Sequence, residues 1–277
     1  MNRFRLSILC VLVFFSFSII AQQAANPIVV IDYMRVTNDH NGKYLDVEQN
    51  VWKPMHQAKV DQGELLGWYL FDVSFTGTDS EYHYATIRIY EDMSKLEAPF
   101  GDMETVFKEV HPEVDMEETM EMTTGSRDLI YSHVLSGWEQ FMDPSATAPP
   151  KVVQMVFFDT PEGEGGAYRD VEREVWHPMH KKEIELGKRV GWTGLILQSP
   201  FGEVTPYDHI AVDMFKDWAQ FSAPRTEGLF KMVHPNANWA DVTAKTRKVQ
   251  DVHKIEVWRM IDYVTANPAM ANTGNED

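Results

Sequence analysis

The sequence predicts an α+β protein made of two β-α-β-β-α-β units packed sheet to sheet, and three observations predict it. The chain repeats itself: Tyr44-Leu45-Asp46-Val47-Glu48-Gln49-Asn50-Val51-Trp52-Lys53-Pro54-Met55-His56 returns 124 residues later as Tyr168-Arg169-Asp170-Val171-Glu172-Arg173-Glu174-Val175-Trp176-His177-Pro178-Met179-His180. The match runs on through Gly63 and Gly187, Gly67-Trp68 and Gly191-Trp192, and Ala98-Pro99 and Ala223-Pro224. It ends with Phe107-Lys108 and Val110-His111-Pro112 against Phe230-Lys231 and Val233-His234-Pro235, at offsets between 123 and 125. Within each copy, strand-like and helix-like apolar patterns follow one another in the same order. Helices on one side of a four-stranded antiparallel sheet leave its other face bare, and a second such sheet is the economical cover.

Each copy opens on an apolar, β-branched run, 28–36 or 152–158, short enough for a buried strand. A helix follows, where Tyr44, Val47, Val51, Met55 and Ala58 recur at three- and four-residue steps, as do Tyr168, Val171, Val175 and Met179. Its end falls at Gly63 or Gly187, because glycine takes the left-handed conformation beyond a helix C-terminus at little steric cost. Two strands come next, 66–75 with 82–90 and 190–197 with 207–215, joined by turn-forming stretches at 76–81 and 198–206. A second helix carries Ala98-Pro99 or Ala223-Pro224 and stops at His111-Pro112 or His234-Pro235, since proline pushes the residue before it out of the helical region. Those two histidines are assigned to helix termination, where the helix dipole favours them. A further helix, 116–129 or 239–249, leads into a last strand that begins at His133 or His253 and runs to 141 or 263.

The chain therefore divides into a first unit at 27–142, a proline-rich linker at 143–150 and a second unit at 151–264, with a polar tail at 265–277. Residues 1–21 stand apart. Arg3 and Arg5 precede an apolar run over 6–20 and then Ala21, the pattern of a cleaved secretory signal, so the protein is expected to be secreted or periplasmic. Cys10 lies inside that segment and is the sole cysteine, which excludes thiol catalysis, disulfides and cysteine-bound zinc in the mature protein. Cleavage leaves 23 basic and 42 acidic residues, a net charge of −19. Such a surface repels nucleic acid and anionic membranes and leaves cations, neutral small molecules or basic partners. No later stretch approaches about 20 continuous apolar residues, so no membrane span is expected after signal cleavage. Neither a His-x₃-His pair nor a HExxH helix occurs, and no metal site is predicted.

On the first helix, Glu48, Trp52 and His56 lie at four-residue steps beside the core stripe, and Glu172, Trp176 and His180 repeat them. A carboxylate, an indole and an imidazole on one edge either line a pocket or seal the rim of the core. Pro54 and Pro178 interrupt that helix in both copies: either each kinks the helix and opens space beside the tryptophan, or each starts a new helix after a break. On the third strand, Tyr84, Thr86, Arg88 and Tyr90 share one face, matched by Tyr207, His209, Ala211, Asp213 and Phe215. The opposite, apolar face is assigned to the helices, which sends the polar face into the space between the sheets. Arg88 and Asp213 occupy corresponding positions. There they make either an ion pair across a pseudo-twofold axis or a ligand-binding pair.

Tandem β-α-β-β-α-β units of this size resemble the dimeric α+β barrel superfamily, which includes antibiotic-monooxygenase-like, EthD-like, NIPSNAP-like and stress-responsive barrel domains. The resemblance rests on element order and size across both halves. It implies ferredoxin-like repeats forming a pseudo-dimeric α+β barrel in a single chain, so that one chain can supply the whole pseudo-dimer, with further association of chains left open. Three functions are then open. The preferred one is binding of a small aromatic or apolar molecule in or beside the barrel, using Glu48, Trp52, His56, Tyr84, Arg88, Glu172, Trp176, His180, His209 and Asp213. The second, implied by the monooxygenase-like members, is a cofactor-independent oxygenase or isomerase, or a haem-dependent enzyme. His56 or His180 would then act as acid, base or haem ligand, and Arg88 would stabilise negative charge. The third is a structural or partner-binding protein with a packed barrel. No cofactor is predicted from the residues themselves; haem enters only through the resemblance.

Overall fold

The computed structural model describes residues 26–97, 102–202, 205, 207–223 and 227–266. The expected signal segment, Pro99, Pro224 and the tail beyond 266 lie outside the described residues. The first half runs β1 (Ile28–Arg35), α1 (Asn41–Val47), a π-helical segment (Glu48–Trp52), α2 (Lys53–Asp61), β2 (Gly67–Val73) and β3 (Tyr84–Tyr90). It continues through α3 (Met103–Val110), α4 (Met116–Ser126) and β4 (Asp128–Met142). The second half runs β5 (Val152–Asp159), α5 (Gly165–Val171), a π-helical segment (Glu172–Trp176), α6 (His177–Glu185), β6 (Gly191–Ser199) and β7 (His209–Phe215). Three helices, α7 (Trp218–Phe221), α8 (Glu227–Val233) and α9 (Trp239–Val249), then lead to β8 (Asp251–Thr265). No helix among the described residues is long and apolar enough to cross a membrane.

The eight strands close into one barrel in the order β1-β3-β2-β8-β5-β7-β6-β4. Every pairing around it is antiparallel. Closure depends on length. β4 and β8 are each 15 residues, longer than the sequence pattern indicated, and each pairs on one side with the opening strand of its own half and on the other with a strand of the opposite half. A closed barrel has no open edge, so all ladder donors and acceptors find partners without a second layer of sheet.

The barrel interior is filled. Ile31, Tyr33, Phe71, Leu135, Met155, Phe157, Ile210 and Trp258 form one contiguous buried cluster there. Outside, helices cover the sheet over separate clusters such as Tyr44, Trp68, Leu70, Tyr84 and Tyr90 on one side and Phe158, Tyr168 and Val171 on the other. Alternation on β3 is therefore as expected, but its assignment is reversed. Ala85 and Ile87 face the interior, while Tyr84 and Tyr90 lie under the helices. Packing both faces explains the reversal, because neither face of a helix-covered barrel strand meets water and polarity no longer marks the inside.

Gly63 and Gly187 have φ of 71° and 65°, the left-handed geometry expected of them. The prolines sit in the first turn of α2 and α6, directly after the π-helical segments. Widening the turn to five residues lets the Lys53 N–H reach the Glu48 carbonyl, just before Pro54, which has no N–H to offer. The break is braced from outside: His111 Nε2 donates to the Val51 carbonyl at 3.0 Å, and His234 Nε2 to the Val175 carbonyl at 3.0 Å. The His-Pro histidines do stand at the C-terminal end of their helices, and their rings also tie α3 and α8 to the broken helix. Trp52 and Trp176 add a second tie, donating to Thr123 and Thr246 at 3.0 Å each.

Candidate functional site

The predicted helix-edge stripe is a packing seam. His56 lies flat on Trp68, ring centroids 5.1 Å apart, and His180 lies flat on Trp192 at 4.8 Å. Burial holds His56 neutral, its pKa pushed down to about 3, with the Arg88 and Lys59 charges acting in the same direction. His180 Nδ1 accepts from Arg189 at 2.9 Å. Glu48 is buried, with Arg127 at 3.9 Å. Desolvation raises its carboxyl to about 7, and the Arg127 charge offsets only part of that rise. Glu172 is buried in the corresponding place, 4.0 Å from His177. Trp52 and Trp176 are committed to their threonines. These six residues do not converge on a cavity; each set is spread along the underside of its own helix.

Arg88 and Asp213 do not pair. Arg88 holds Asp32 on the neighbouring strand at 2.6 Å, and Ser132 donates to the same carboxylate at 2.6 Å. Asp213 is bonded to Arg189, which also binds Glu183 at 2.7 Å. This buried cluster borders a small cavity of about 230 Å³ near Gln154, Lys188 and Phe215. Register explains the outcome: each charged side chain lies on the helix side of its strand, with the barrel wall between it and the other. His209 packs on Phe158 and Tyr168 and bonds Asp208 at 2.6 Å; Tyr84 packs on Tyr44 and donates to Asn41.

A different constellation does converge. At the end of the barrel where β1, β2, β5 and β6 finish and β3, β4, β7 and β8 begin, two tyrosines, Tyr82 and Tyr207, stand just ahead of β3 and β7. Each is held by the last strand of the opposite half. His133 Nδ1 on β4 is hydrogen-bonded to the Tyr207 hydroxyl, which also lies 3.3 Å from the Tyr33 hydroxyl. Across the mouth, Tyr82 donates to Glu256 Oε1 on β8 at 2.7 Å, and Trp258 Nε1 donates to Glu256 Oε2 at 2.9 Å. Lys254 Nζ donates to the Tyr82 oxygen and to Glu256 at 3.1 Å, over the faces of Phe157 at 4.4 Å and Tyr82 at 4.8 Å. Beside Tyr207 opens a recess of about 590 Å³, lined also by Asp159, Glu162, Phe201, Asp208 and His253.

Electrostatics keeps the buried part of this mouth uncharged. Burial raises the hydroxyls of Tyr33, Tyr82 and Tyr207, and the Glu256 charge adds to the rise for each of them. Burial also lowers His133 to about 4, helped by the Lys254 charge, so the ring is neutral across the physiological range. Of these groups Tyr207 lines the recess, where its hydroxyl can accept or donate a hydrogen bond, and Glu256 lies within one hydrogen bond of Tyr82.

Sequence reasoning placed His133 only at a strand start and Tyr207 only on a strand face, and it missed Tyr33, Tyr82, Lys254 and Glu256 as site residues. A signal existed. Lys254, Glu256 and Trp258 alternate on one face of β8, and two of them are polar at positions where an interior strand face calls for apolar residues.

The structure shows, among the described residues, no haem cleft at the histidines that the resemblance nominates: His56 and His180 stack on Trp68 and Trp192, and neither the 590 Å³ recess nor the 230 Å³ cavity is lined by either ring. His111 and His234 spend Nε2 on carbonyls. Among the described residues no group of three His, Cys, Asp or Glu side chains is placed to hold a metal ion.

No protein-family model matches the chain, and no curated protein matches it. Its fold does match solved structures. A monooxygenase candidate from Lactobacillus acidophilus superposes with a TM-score of 0.55 at 9% identity, covering 87% of this chain and 97% of that one. Another from Fusobacterium nucleatum gives 0.51 at 11%, covering 88% and 96%. A heme-binding protein from Thermus thermophilus gives 0.46 at 8%, covering 86% and 92%. At such identities the first two likenesses speak to fold alone: the chain has the ferredoxin-like α+β barrel fold, closed by eight antiparallel strands.

Proposed function

We propose that the protein binds a small aromatic molecule at the mouth of its barrel, in the recess beside Tyr207. One observation carries this reading: Tyr207, whose hydroxyl meets the buried Tyr33 hydroxyl and the buried His133 ring, lines a recess of about 590 Å³. Concave sites that pair aromatic walls with a few converging polar groups are where small molecules bind. The filled interior moves the ligand from between the sheets to their rim.

The element order supports a tandem duplication, with Tyr82 and Tyr207 as the duplicated pair, and their unlike partners, Glu256 and His133, give a site that is asymmetric about the pseudo-axis. Secretion by a cleaved signal remains part of the same proposal. Oxygenase or isomerase chemistry on the bound molecule is the second reading. Glu256 favours it, as a carboxylate already in contact with a tyrosine and able to take a substrate proton.

The test is titration of the mature protein with single-ring aromatics, followed through the Trp258 indole N–H by NMR. Tyr207→Phe and His133→Leu are expected to weaken binding about tenfold. His56→Ala and His180→Ala, which lie on the helix seam, are expected to leave affinity unchanged. Loss of binding in the seam variants with none in Tyr207→Phe would move the site to the helices.

A further inference from the structure

The lining of the recess beside Tyr207 is unbalanced in charge. Among the described residues it includes three carboxylates, Asp159, Glu162 and Asp208, and one imidazole, His253, with neither lysine nor arginine. Lys254, next to His253 on β8, lies outside that lining and bonds Glu256 at 3.1 Å over the Phe157 ring. Asp208 is the carboxylate built into the frame. Thr160 gives it a backbone N–H, at 3.0 Å to Oδ1, and a hydroxyl, at 2.8 Å to Oδ2, while His209 Nδ1 lies 2.6 Å from Oδ1. Burial pushes its pKa up, but the bond and charge of His209 and the bonds from Thr160 outweigh burial and hold it below the ordinary carboxylate value. Two carboxylate oxygens offer about four acceptor positions, so Oδ2 keeps one. Asp159 accepts from His253 at 3.1 Å through Oδ2 alone, and Glu162 stands exposed at the rim.

The first half shows that the fold does not need these charges. His83 holds the place there that Asp208 holds in the second half: the His83 N–H bonds the Met34 carbonyl as that of Asp208 bonds the Phe158 carbonyl. Each side chain then accepts the next backbone N–H of the opening strand's exit, Val36 at 3.3 Å for His83 Nδ1 and Thr160 at 3.0 Å for Asp208. An imidazole nitrogen makes that contact as well as a carboxylate does. By the same offset Asp159 corresponds to Arg35 and Glu162 to Asn38. Three matched places thus carry Arg35, Asn38 and His83 in one half and three carboxylates in the other. Like charges around one hollow repel, and the architecture supplies no reason to gather them.

Resting on the binding reading above, we propose that the recess takes a cationic aromatic amine, its ammonium held by Asp208, Asp159 and Glu162 and its ring by Tyr207 and Phe201. Charge decides between ligand classes. An anion meets repulsion from all three carboxylates, and a neutral ring gains nothing from them. An ammonium relieves the repulsion and offers three N–H donors to acceptors that have positions to spare. The net charge of −19 on the chain after signal cleavage also gathers cations around it. A metal ion is the other cationic class, and it needs several ligands on one centre; no three His, Cys, Asp or Glu side chains among the described residues are so placed. An organic cation can meet the carboxylates singly, and Phe201, 72% exposed beside them, offers its ring a wall.

Calorimetric titration of residues 22–277 with benzylamine, benzyl alcohol and benzoate, which share one ring, tests the assignment. Benzylamine is expected to bind about tenfold more tightly than benzyl alcohol, and benzoate more weakly than either. Asp159→Asn combined with Glu162→Gln is expected to weaken benzylamine about fivefold and to leave benzyl alcohol within about twofold. Asp208→Asn is expected to weaken benzylamine about tenfold. Thermal melts check the fold, and the exposed pair at the rim keeps the test open if Asp208→Asn melts early. Glu113→Gln combined with Glu117→Gln removes as much charge from the exposed helices of the first half and is expected to keep benzylamine within about twofold. An equal loss in that control would assign the effect to the field of the whole chain and overturn the site. Benzyl alcohol binding as tightly as benzylamine, or benzylamine unaffected by the rim pair, overturns the cationic ligand while the recess stands as a binding site. If none of the three binds up to millimolar concentration, both readings fall.

Discussion

Glu48 shows how far a repeated residue can be from a reacting group and still matter. It is the first residue of the π-helical segment that follows α1, with its carboxyl raised to about 7, chiefly by burial. The unfolded chain binds that proton with an ordinary carboxylate pKa of 4.5, so below this value both states are protonated and the group does not bias folding. As pH rises from 4.5 through 7 the unfolded state releases its proton first, and the folded state loses stability over that window. The loss amounts to about 3 kcal/mol at pH 8, at about 1.4 kcal/mol for each pH unit separating the two pKa values. Glu48→Gln removes this titration. Its stability relative to the parent, measured by urea unfolding, is therefore expected to improve by about 3 kcal/mol between pH 4.5 and pH 8. A difference that stays flat over that interval would show that Glu48 is ionised in the folded state. His56 works in the opposite sense. Lowered to about 3, it withholds a proton that the unfolded chain takes up near 6.5, so its contribution is present above 6.5 and fades as pH falls.

At the scale of elements, the interrupted helix is the most informative feature. A π-helical turn precedes Pro54 and another precedes Pro178, and in each a backbone carbonyl, that of Val51 or Val175, accepts from a histidine of the second helix of the same half. Leaving a buried carbonyl without a donor costs about 1–3 kcal/mol. His111→Leu and His234→Leu, which keep the bulk and remove the N–H, are each expected to destabilise the protein by that amount in urea unfolding. A cost near zero would mean that water reaches the carbonyl. The strands, the helix-ending glycines and the proline break were legible because each is a local pattern in the chain. The π-turn's partner was not: Val51 and His111 lie 60 residues apart, and no periodicity links them. Which face of β3 points inward was also illegible, since Arg88 finds Asp32 on the next strand and so tolerates burial under the helices.

The whole molecule is held closed by exchange between its halves. β8 completes the sheet of the first half along β2, β4 completes that of the second along β6, and Lys53 of α2 reaches across to Asp262 of β8 at 2.6 Å. The mouth is built the same way, which is why its residues escaped a reading of either half alone: Tyr82 and Glu256 are 174 residues apart. Cutting the chain in the 143–150 linker would give each half two open edges, on β2 and β4 or on β6 and β8. It would also bare an apolar inner face, including Ile31, Phe71 and Leu135 in the first half. Unpaired edges beside exposed apolar surface drive association. Expressed alone, 22–146 and 147–277 are therefore expected to aggregate or to pair with their own kind. Expressed together, they are expected to co-purify one to one, elute with the intact chain and melt in a single transition. Either half behaving as a monomer with its own cooperative melt would show that closure by the partner's strands is dispensable, and the mouth would then have to be assigned within one half.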